Sequence, residues 1–147
     1  MFKRGMDSQG QLSVEYLLLL VVIFVVFGFM ITYLIGPSID AGNDISDVSD
    51  ASNSMNNLAN AANIVYANGP GSKRTVMIYF PQDGMRLSRG ANFFSTTVAL
   101  SDGTNKTVNA TTSYPIAAYV GGANSKGWHK AQVFWTGGKS YLELLIY

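Results

Sequence analysis

The hydrophobic residues of this chain are concentrated in one uninterrupted run near its N-terminus. Across residues 17–35 the only polar side-chain groups are the hydroxyls of Thr32 and Tyr33, and no residue is charged. As an α-helix these 19 residues extend about 28 Å, close to the roughly 30 Å of a bilayer's hydrocarbon core. The pattern therefore predicts one long hydrophobic helix that is able to span a membrane.

A second helical pattern follows, in which apolar residues recur at spacings of threes, fours and sevens. It covers residues 40–67 and stops at Asn68-Gly69-Pro70-Gly71, a strong helix terminator. Between the two patterns lies Gly36-Pro37. Because Pro37 has no N–H to donate to the carbonyl of Tyr33, we expect a kink or a short break there. The apolar positions of this second pattern are Ile45, Val48, Met55, Leu58, Ala62 and Val65.

The last part of the chain, residues 71–147, alternates apolar and polar residues at the two-residue period of β-strands. The turn pairs Asp102-Gly103 and Gly137-Gly138 each separate two such runs, which predicts two hairpins. The predicted strands are 75–80, 93–100, 104–111, 133–136 and 139–147. The fold class is therefore α+β: a long N-terminal hydrophobic helix, then a small antiparallel β-sheet or β-sandwich head. We expect the second helix to pack on this head through Ile45, Met55 and Leu58.

Composition argues against several classes of function. The chain has no cysteine and a single histidine, His129, so it has neither a disulfide framework nor a multi-histidine metal site. The sequence contains no defensible Ser/His/Asp constellation, phosphate-binding loop or pair of catalytic carboxylates, so we expect neither enzyme activity nor a cofactor. A formal net charge of +1 lacks the basic excess that is typical of a nucleic-acid-binding protein.

The charges are arranged asymmetrically along the chain. Lys3 and Arg4 precede the apolar run and the next base is Lys73, so the positive-inside rule predicts a cytoplasmic N-terminus and an external C-terminal part. Residues 11–70 carry five acids and no base, whereas residues 71–147 carry eight bases and three acids. Four of the acids share roughly one helix face: Asp40, Asp44, Asp47 and Asp50. These acids either favour the helix dipole or contact basic head surfaces of neighbouring copies.

A short motif immediately before the apolar run carries a specific resemblance. The segment Gly10-Gln11-Leu12-Ser13-Val14-Glu15 follows a basic leader and leads into the hydrophobic helix. With Gln11, Ser13 and Glu15 in a Gln-x-Ser-x-Glu pattern, and Leu19 four positions further on, it resembles the class III signal of archaeal type IV pilins. The rest of the chain matches that family only in architecture. The resemblance implies cleavage between Gly10 and Gln11 by a membrane prepilin peptidase, which leaves the hydrophobic helix in the mature protein.

The resemblance also implies a role in assembly for the residues at the helix start. In a filament the helix packs against its neighbours' helices, so its apolar surface leaves lipid without entering water. Glu15 then needs a cation or a donor, and the family suggests the N-terminal amine that cleavage creates on an adjacent subunit. Ser13 offers a hydroxyl in the same turn. If Gln11 instead cyclises to pyroglutamate, that amine is lost, and backbone or hydroxyl donors must bind the Glu15 carboxylate in its place.

The head carries two further features of interest. Asn105 and Asn109 begin Asn-x-Thr sequons, which makes them candidate N-glycosylation sites in an external domain. The head also has eleven aromatic residues, among them Trp128 and Trp135. We expect them to fill a small β core, the alternative being a sugar-binding surface.

The sequence therefore predicts the structural subunit of an archaeal type IV adhesion pilus. Residues 1–10 are the cleaved leader, 11–35 the transmembrane and polymerisation helix, 36–70 an amphipathic helical stalk and linker, and 71–147 the β-rich head. The expected partners are other pilin subunits in a homopolymer, the prepilin peptidase, the pilus assembly machinery and, before assembly, the membrane. The expected location is the cell membrane as a precursor and then the extracellular surface pilus. The alternatives are a minor pilin-like or surface-anchored binding subunit, and less favourably a monomeric single-pass membrane protein.

Overall fold

The computed structural model describes residues 8–120 and 125–147, with side chains for 13–117 and 125–147. Helix α1 (Ser8–Met30) runs into a π-helical segment (Ile31–Ile35), which is followed by helix α2 (Gly36–Asn68) and then by β-strands. The chain divides into two compact units, Met1–Ala41 and Gly42–Tyr147. The α+β architecture predicted from the sequence, a long apolar N-terminal helix followed by a small β region, is confirmed.

The helix does not break at Gly36-Pro37, where the sequence predicts a kink or a short break. The helix continues through Pro37, and the irregularity is the π-helical segment Ile31–Ile35, where the N–H of Gly36 donates to the carbonyl of Ile31. In a regular α-helix the ring of Pro37 would meet the carbonyl of Tyr33. A wider π turn that contains Tyr33 is a way for a helix to accommodate such a residue without ending.

The second unit contains two sheets. The first is four-stranded in the order β1 (Lys73–Phe80), β6 (Gly127–Phe134), β7 (Leu142–Ile146) and β5 (Ile116–Val120). The second is three-stranded in the order β2 (Leu87–Arg89), β3 (Phe93–Ala99) and β4 (Asn105–Thr111).

Both predicted hairpins are confirmed. In β3–β4 the register pairs Ala99 with Asn105 across the Asp102-Gly103 turn, where Gly103 has the positive φ of 82° that favours glycine. The side chain of Asp102 fixes this turn by accepting the N–H and the hydroxyl of Thr104, at 2.8 and 2.6 Å. In β6–β7 the register pairs Phe134 with Glu143 across Gly137-Gly138.

The sheets differ from the prediction in three respects. Strand β5 pairs with β7 in parallel, so the four-stranded sheet is mixed and not purely antiparallel. Strands β2 and β5 were not predicted, and β6 begins at Gly127 rather than at residue 133. The alternation of apolar and polar residues indicates hairpins between neighbouring segments, whereas β5 and β7 are separated along the chain by the whole of β6. Such a non-local pairing leaves no local sequence signal.

A single hydrophobic core joins the helical and β parts of the second unit. Met55 and Leu58 of α2 are fully buried, as predicted, but Ile45 is 71% exposed and does not belong to the core. The compact unit that contains the head begins within α2, at Gly42. The reason is that the apolar stripe of α2 completes the core of the β-strands. Core residues from these strands include Ile78, Phe80, Phe94, Val98, Ile116, Val133, Leu142 and Leu144.

Helix α2 ends where the sequence predicts. Gly69 and Gly71 adopt positive φ values of 85° and 91° around Pro70. The hydroxyl of Ser72 then lies within hydrogen-bond distance of two carbonyls, those of Val65 at 2.7 Å and Gly69 at 2.6 Å. Since the hydroxyl has one proton, it donates to one of the two at a time, and the carbonyl of Val65 is one that a helix C-terminus otherwise leaves without a partner.

Candidate functional site

The apolar segment of the first unit exposes its side chains in every direction. The large apolar residues between Leu17 and Ile35 are each 45–67% exposed. Because these residues are consecutive, the segment has no polar face, which is the pattern of a helix surrounded by an apolar environment. Among the described residues this is the one helix long and apolar enough to cross a membrane, and none of its most apolar window is buried. The segment is therefore consistent with membrane insertion.

Two hydroxyls of this region donate to carbonyls of the same helix. The hydroxyl of Thr32 donates to the carbonyl of Gly28 at 2.9 Å, and that of Ser38 donates to the carbonyl of Leu34 at the same distance. A hydroxyl without a partner is costly in hydrocarbon, so such internal bonds suit a helix in an apolar environment. The ring of Phe29 contacts that of Tyr33, with centroids 4.4 Å apart.

The residues of the predicted signal lie at the start of α1. Ser13, Glu15 and Leu19 are exposed on this helix, and the four-residue spacing of Glu15 and Leu19 places them on one face. The predicted cleavage site falls between Gly10 and Gln11, whose backbone belongs to α1. The side chains of Gly10 and Gln11 lie outside the described residues, as does the leader before residue 8.

Two of the four acids predicted to share a helix face bind the head of their own chain. Asp44 accepts the backbone N–H of Ser101 at 3.0 Å and its hydroxyl at 2.6 Å. Asp47 accepts an N–H from the side-chain amide of Gln82 at 2.9 Å. These donors are uncharged groups on loops that follow strands. A comparison of charges along the sequence therefore does not reveal them as partners of the two acids. The hypothesis that the acids meet basic heads of neighbouring copies therefore rests on Asp40 and Asp50.

Gln82 is a polar residue that the sequence analysis missed. Besides donating to Asp47, its Nε2 donates to the carbonyl of Ala99 at 2.7 Å, while its Oε1 accepts the N–H of Ala99 at 3.0 Å. One side chain thus joins α2, the segment after β1 and the end of β3. Its position directly after Pro81 marks a turn but gives no sign of its partners.

The two sequons lie on a free edge of the head. Asn105 and Asn109 are both exposed on β4, which is an outer strand of the three-stranded sheet. Being four residues apart in a strand, they point to the same face. A glycan there would also cover an edge that otherwise offers unpaired backbone groups to another chain.

The two tryptophans of the head have different environments. Trp135 packs with Tyr66 and Tyr114, at centroid distances of 5.8 and 5.0 Å, and its Nε1 donates to the carbonyl of Lys139 at 2.7 Å. Trp135 therefore agrees with the prediction that the aromatic residues of the head pack in its core. Trp128 departs from it, because its side chain is 67% exposed and contacts only the ring of Tyr79 among the aromatic residues described.

Hydrogen bonds within the head shift the pKa values of three of its titratable groups. The ammonium group of Lys139 and the hydroxyl of Thr136 hydrogen-bond to Glu143 and lower the pKa of its carboxyl group. The same contact with Glu143 raises the pKa of Lys139. Hydrogen bonds from the hydroxyl and N–H of Thr104 lower the pKa of Asp102. His129 is half-buried, with Nε2 2.9 Å from the carbonyl oxygen of Ser125.

Within residues 8–120 and 125–147 no group of three or more histidine, aspartate or glutamate side chains is placed to hold a metal ion. Comparison with protein-family models, curated proteins and solved structures gave no match.

Proposed function

We propose that this chain is the structural subunit of a surface filament of the archaeal type IV pilus kind and that it assembles through its N-terminal helix. The observation that carries the proposal is the apolar segment at residues 17–35, which exposes apolar side chains all round. Such a segment requires either lipid or other apolar helices around it. A bundle of identical segments meets that requirement after the subunit has left the membrane.

The position of Glu15 supports assembly over permanent anchoring. The carboxylate lies only two residues before the apolar run, where a monomeric anchor gains nothing from it. In a bundle of many copies it would be poorly hydrated and would need an opposite charge or donors from a neighbour. The amine of a neighbouring subunit's cleaved N-terminus is the donor that the Gln11-x-Ser13-x-Glu15 motif suggests.

The test is the recovery of filaments from cells that express Glu15→Gln or Glu15→Val in place of the natural chain. Both variants should enter the membrane at the natural level but yield at least about tenfold fewer filaments on shearing, because the charge that would pair with the neighbour's amine is lost. Asn43→Ala is the matched control, because it changes an exposed polar residue that belongs neither to the motif nor to the four acids. Natural filament yield from both Glu15 variants would refute the role of this carboxylate.

N-terminal sequencing of the sheared material tests the processing step. Mature subunits should begin at Gln11, detected as a free or cyclised residue, and should retain residues 17–35. Filaments that lack this segment, or a chain found only in the membrane fraction, would refute the proposed function. A minor pilin-like or surface-anchored binding subunit remains the second candidate, and a low abundance of this chain relative to the filament mass would identify it.

A further inference from the structure

An exposed tryptophan stands beside a small polar cavity on the head. Trp128 of β6 is 67% exposed, and its ring leans on that of Tyr79, with centroids 5.2 Å apart and the planes at 49°. Together with residues of α2 these two rings line a cavity of about 360 Å³. The contribution of α2 is Asp50, Asn53, Ser54 and Asn57.

The wall opposite the rings is made of carboxylate and amide groups. Asp50, Asn53 and Asn57 occupy positions i, i+3 and i+7 of α2, so they follow one face of the helix. Asp44 and Asp47 bind donors of the head, but Asp50, Asn53 and Asn57 form no side-chain hydrogen bond with another described residue. Their amide and carboxylate groups supply donors and acceptors in one place.

Neither the fold nor the core accounts for this arrangement. The core is complete without Trp128, whose cross-strand partner Tyr79 is itself half-buried. A single exposed aromatic side chain is common on protein surfaces, but here the exposed indole and the ring of Tyr79 line a cavity together with carboxylate and amide groups of α2. This combination of an aromatic face and polar groups suits a ligand with both apolar and hydroxyl-bearing faces.

We infer that Trp128, Asp50, Asn53 and Asn57 form a binding site for a saccharide. The C–H face of a pyranose ring stacks on the free face of the Trp128 indole, while its hydroxyls donate to Asp50 and exchange hydrogen bonds with the two amides. The negative charge of Asp50 disfavours phosphorylated and nucleic-acid ligands. The small polar cavity also fits a sugar better than a helix of a second copy, which would require a larger apolar area.

The site lies entirely within the Gly42–Tyr147 unit, so the proposal does not rest on filament assembly. The test uses the full chain in dodecylphosphocholine micelles, because glycoside detergents would compete for the site. Saturation-transfer NMR is recorded with glucose, galactose, N-acetylglucosamine, maltotriose and chitotriose as separate probes. At least one probe should receive saturation at its ring protons.

Variants then locate the binding. Trp128→Ala and Asn57→Ala should each weaken binding of that probe by at least about tenfold, which corresponds to about 1.4 kcal/mol. Asn56→Ala is the matched control: Asn56 is the exposed neighbour on α2 that does not line the cavity, and its variant should bind as the natural chain does. Far-UV circular dichroism and the melting temperature verify that each variant is folded. If Trp128→Ala does not fold, Asn57→Ala alone tests the binding site.

Three results would overturn the proposal. The first is the absence of saturation transfer to all five probes at millimolar concentration. The second is binding that Trp128→Ala and Asn57→Ala leave unchanged. The third is a lack of sugar binding combined with a loss of filaments in Trp128→Ala, which would identify this surface as a contact between copies of the chain.

Discussion

The hydroxyl of Ser54 on helix α2 makes both backbone hydrogen bonds of Tyr79 on strand β1. It accepts the N–H of Tyr79 at 2.8 Å and donates to the carbonyl of the same residue at 2.9 Å. β1 is an outer strand of its sheet, so these backbone groups would otherwise lack a strand partner. A helix side chain thus takes the place of a neighbouring strand, and it does so from a position that is only 3% exposed.

Ser54→Ala should destabilise the head by about 1–3 kcal/mol, because it leaves the two backbone groups of Tyr79 without their partner. The free energy of unfolding, measured by urea titration of the full chain in micelles, checks this. Ser46→Ala is the matched control, since Ser46 is exposed on the same helix, and it should change the stability by less than about 0.5 kcal/mol. Equal stabilities of the two variants would show that Ser54 does not hold the strand edge.

Gln82→Ala should lower the free energy of unfolding by about 0.5–1.5 kcal/mol, because three hydrogen bonds to Asp47 and Ala99 are lost at a half-buried side chain. Gln82→Glu is the sharper variant. It places a second carboxylate beside Asp47, so it should destabilise the head at neutral pH and recover part of the loss when the carboxylates are protonated. A Gln82→Glu variant whose stability deficit is the same at every pH would contradict the contact with Asp47.

The stability of the head should depend on pH through Glu143 and Asp102. The pKa values of both groups are lowered in the folded chain, that of Glu143 mainly by Lys139 and that of Asp102 mainly by Thr104. Groups with lowered folded pKa values stabilise the fold above their unfolded pKa, and this contribution is lost as pH falls through the folded value. The melting temperature should therefore fall between about pH 5 and pH 3.

Glu143→Gln tests this dependence. The variant should melt at a lower temperature than the natural chain at pH 7 and should show a shallower decline on acidification. Because both Glu143 and Lys139 contact solvent, the difference should be small and should shrink in high salt. Parallel melting curves for the two chains across this pH range would refute the contribution of Glu143.

Asn105 and Asn109 should be modified when the chain is isolated from the surface of its native host. Intact-mass analysis should show at least one glycan-sized addition, and Asn105→Gln with Asn109→Gln should remove it. Thr107→Val is an independent control, because it destroys the sequon of Asn105 while keeping the asparagine. An unmodified mass in the natural chain would refute the assignment.

Much of the fold follows from local patterns. The apolar run at residues 17–35 is uninterrupted and 19 residues long, and this length and composition indicate a helix that is able to span a membrane. The β3–β4 and β6–β7 hairpins were likewise predictable, because each joins adjacent segments through a glycine turn whose geometry the sequence itself specifies. Met55 and Leu58 were recognised as core residues because the helical period places them on one apolar face.

The remaining features depend on contacts between distant parts of the chain. The parallel pairing of β5 with β7, the burial of Ser54 and the three bonds of Gln82 all involve partners that no local pattern relates. The same holds for Trp128, since whether an aromatic residue of a strand faces the core or solvent depends on which sheet face the helix covers. Ile45 shows the converse, because it follows the helical period yet its side chain is 71% exposed.

The sequence by itself determined a membrane-compatible helix, a strand-rich head and the turns that connect its hairpins, because each is encoded within a few adjacent residues. Only the tertiary structure decided that Ile45 lies outside the core, that Asp44 and Asp47 bind their own chain, and that Trp128 stands over polar side chains. Those outcomes depend on three-dimensional packing and on directional hydrogen bonds between residues 35 to 57 positions apart. No local pattern along the chain predicts them.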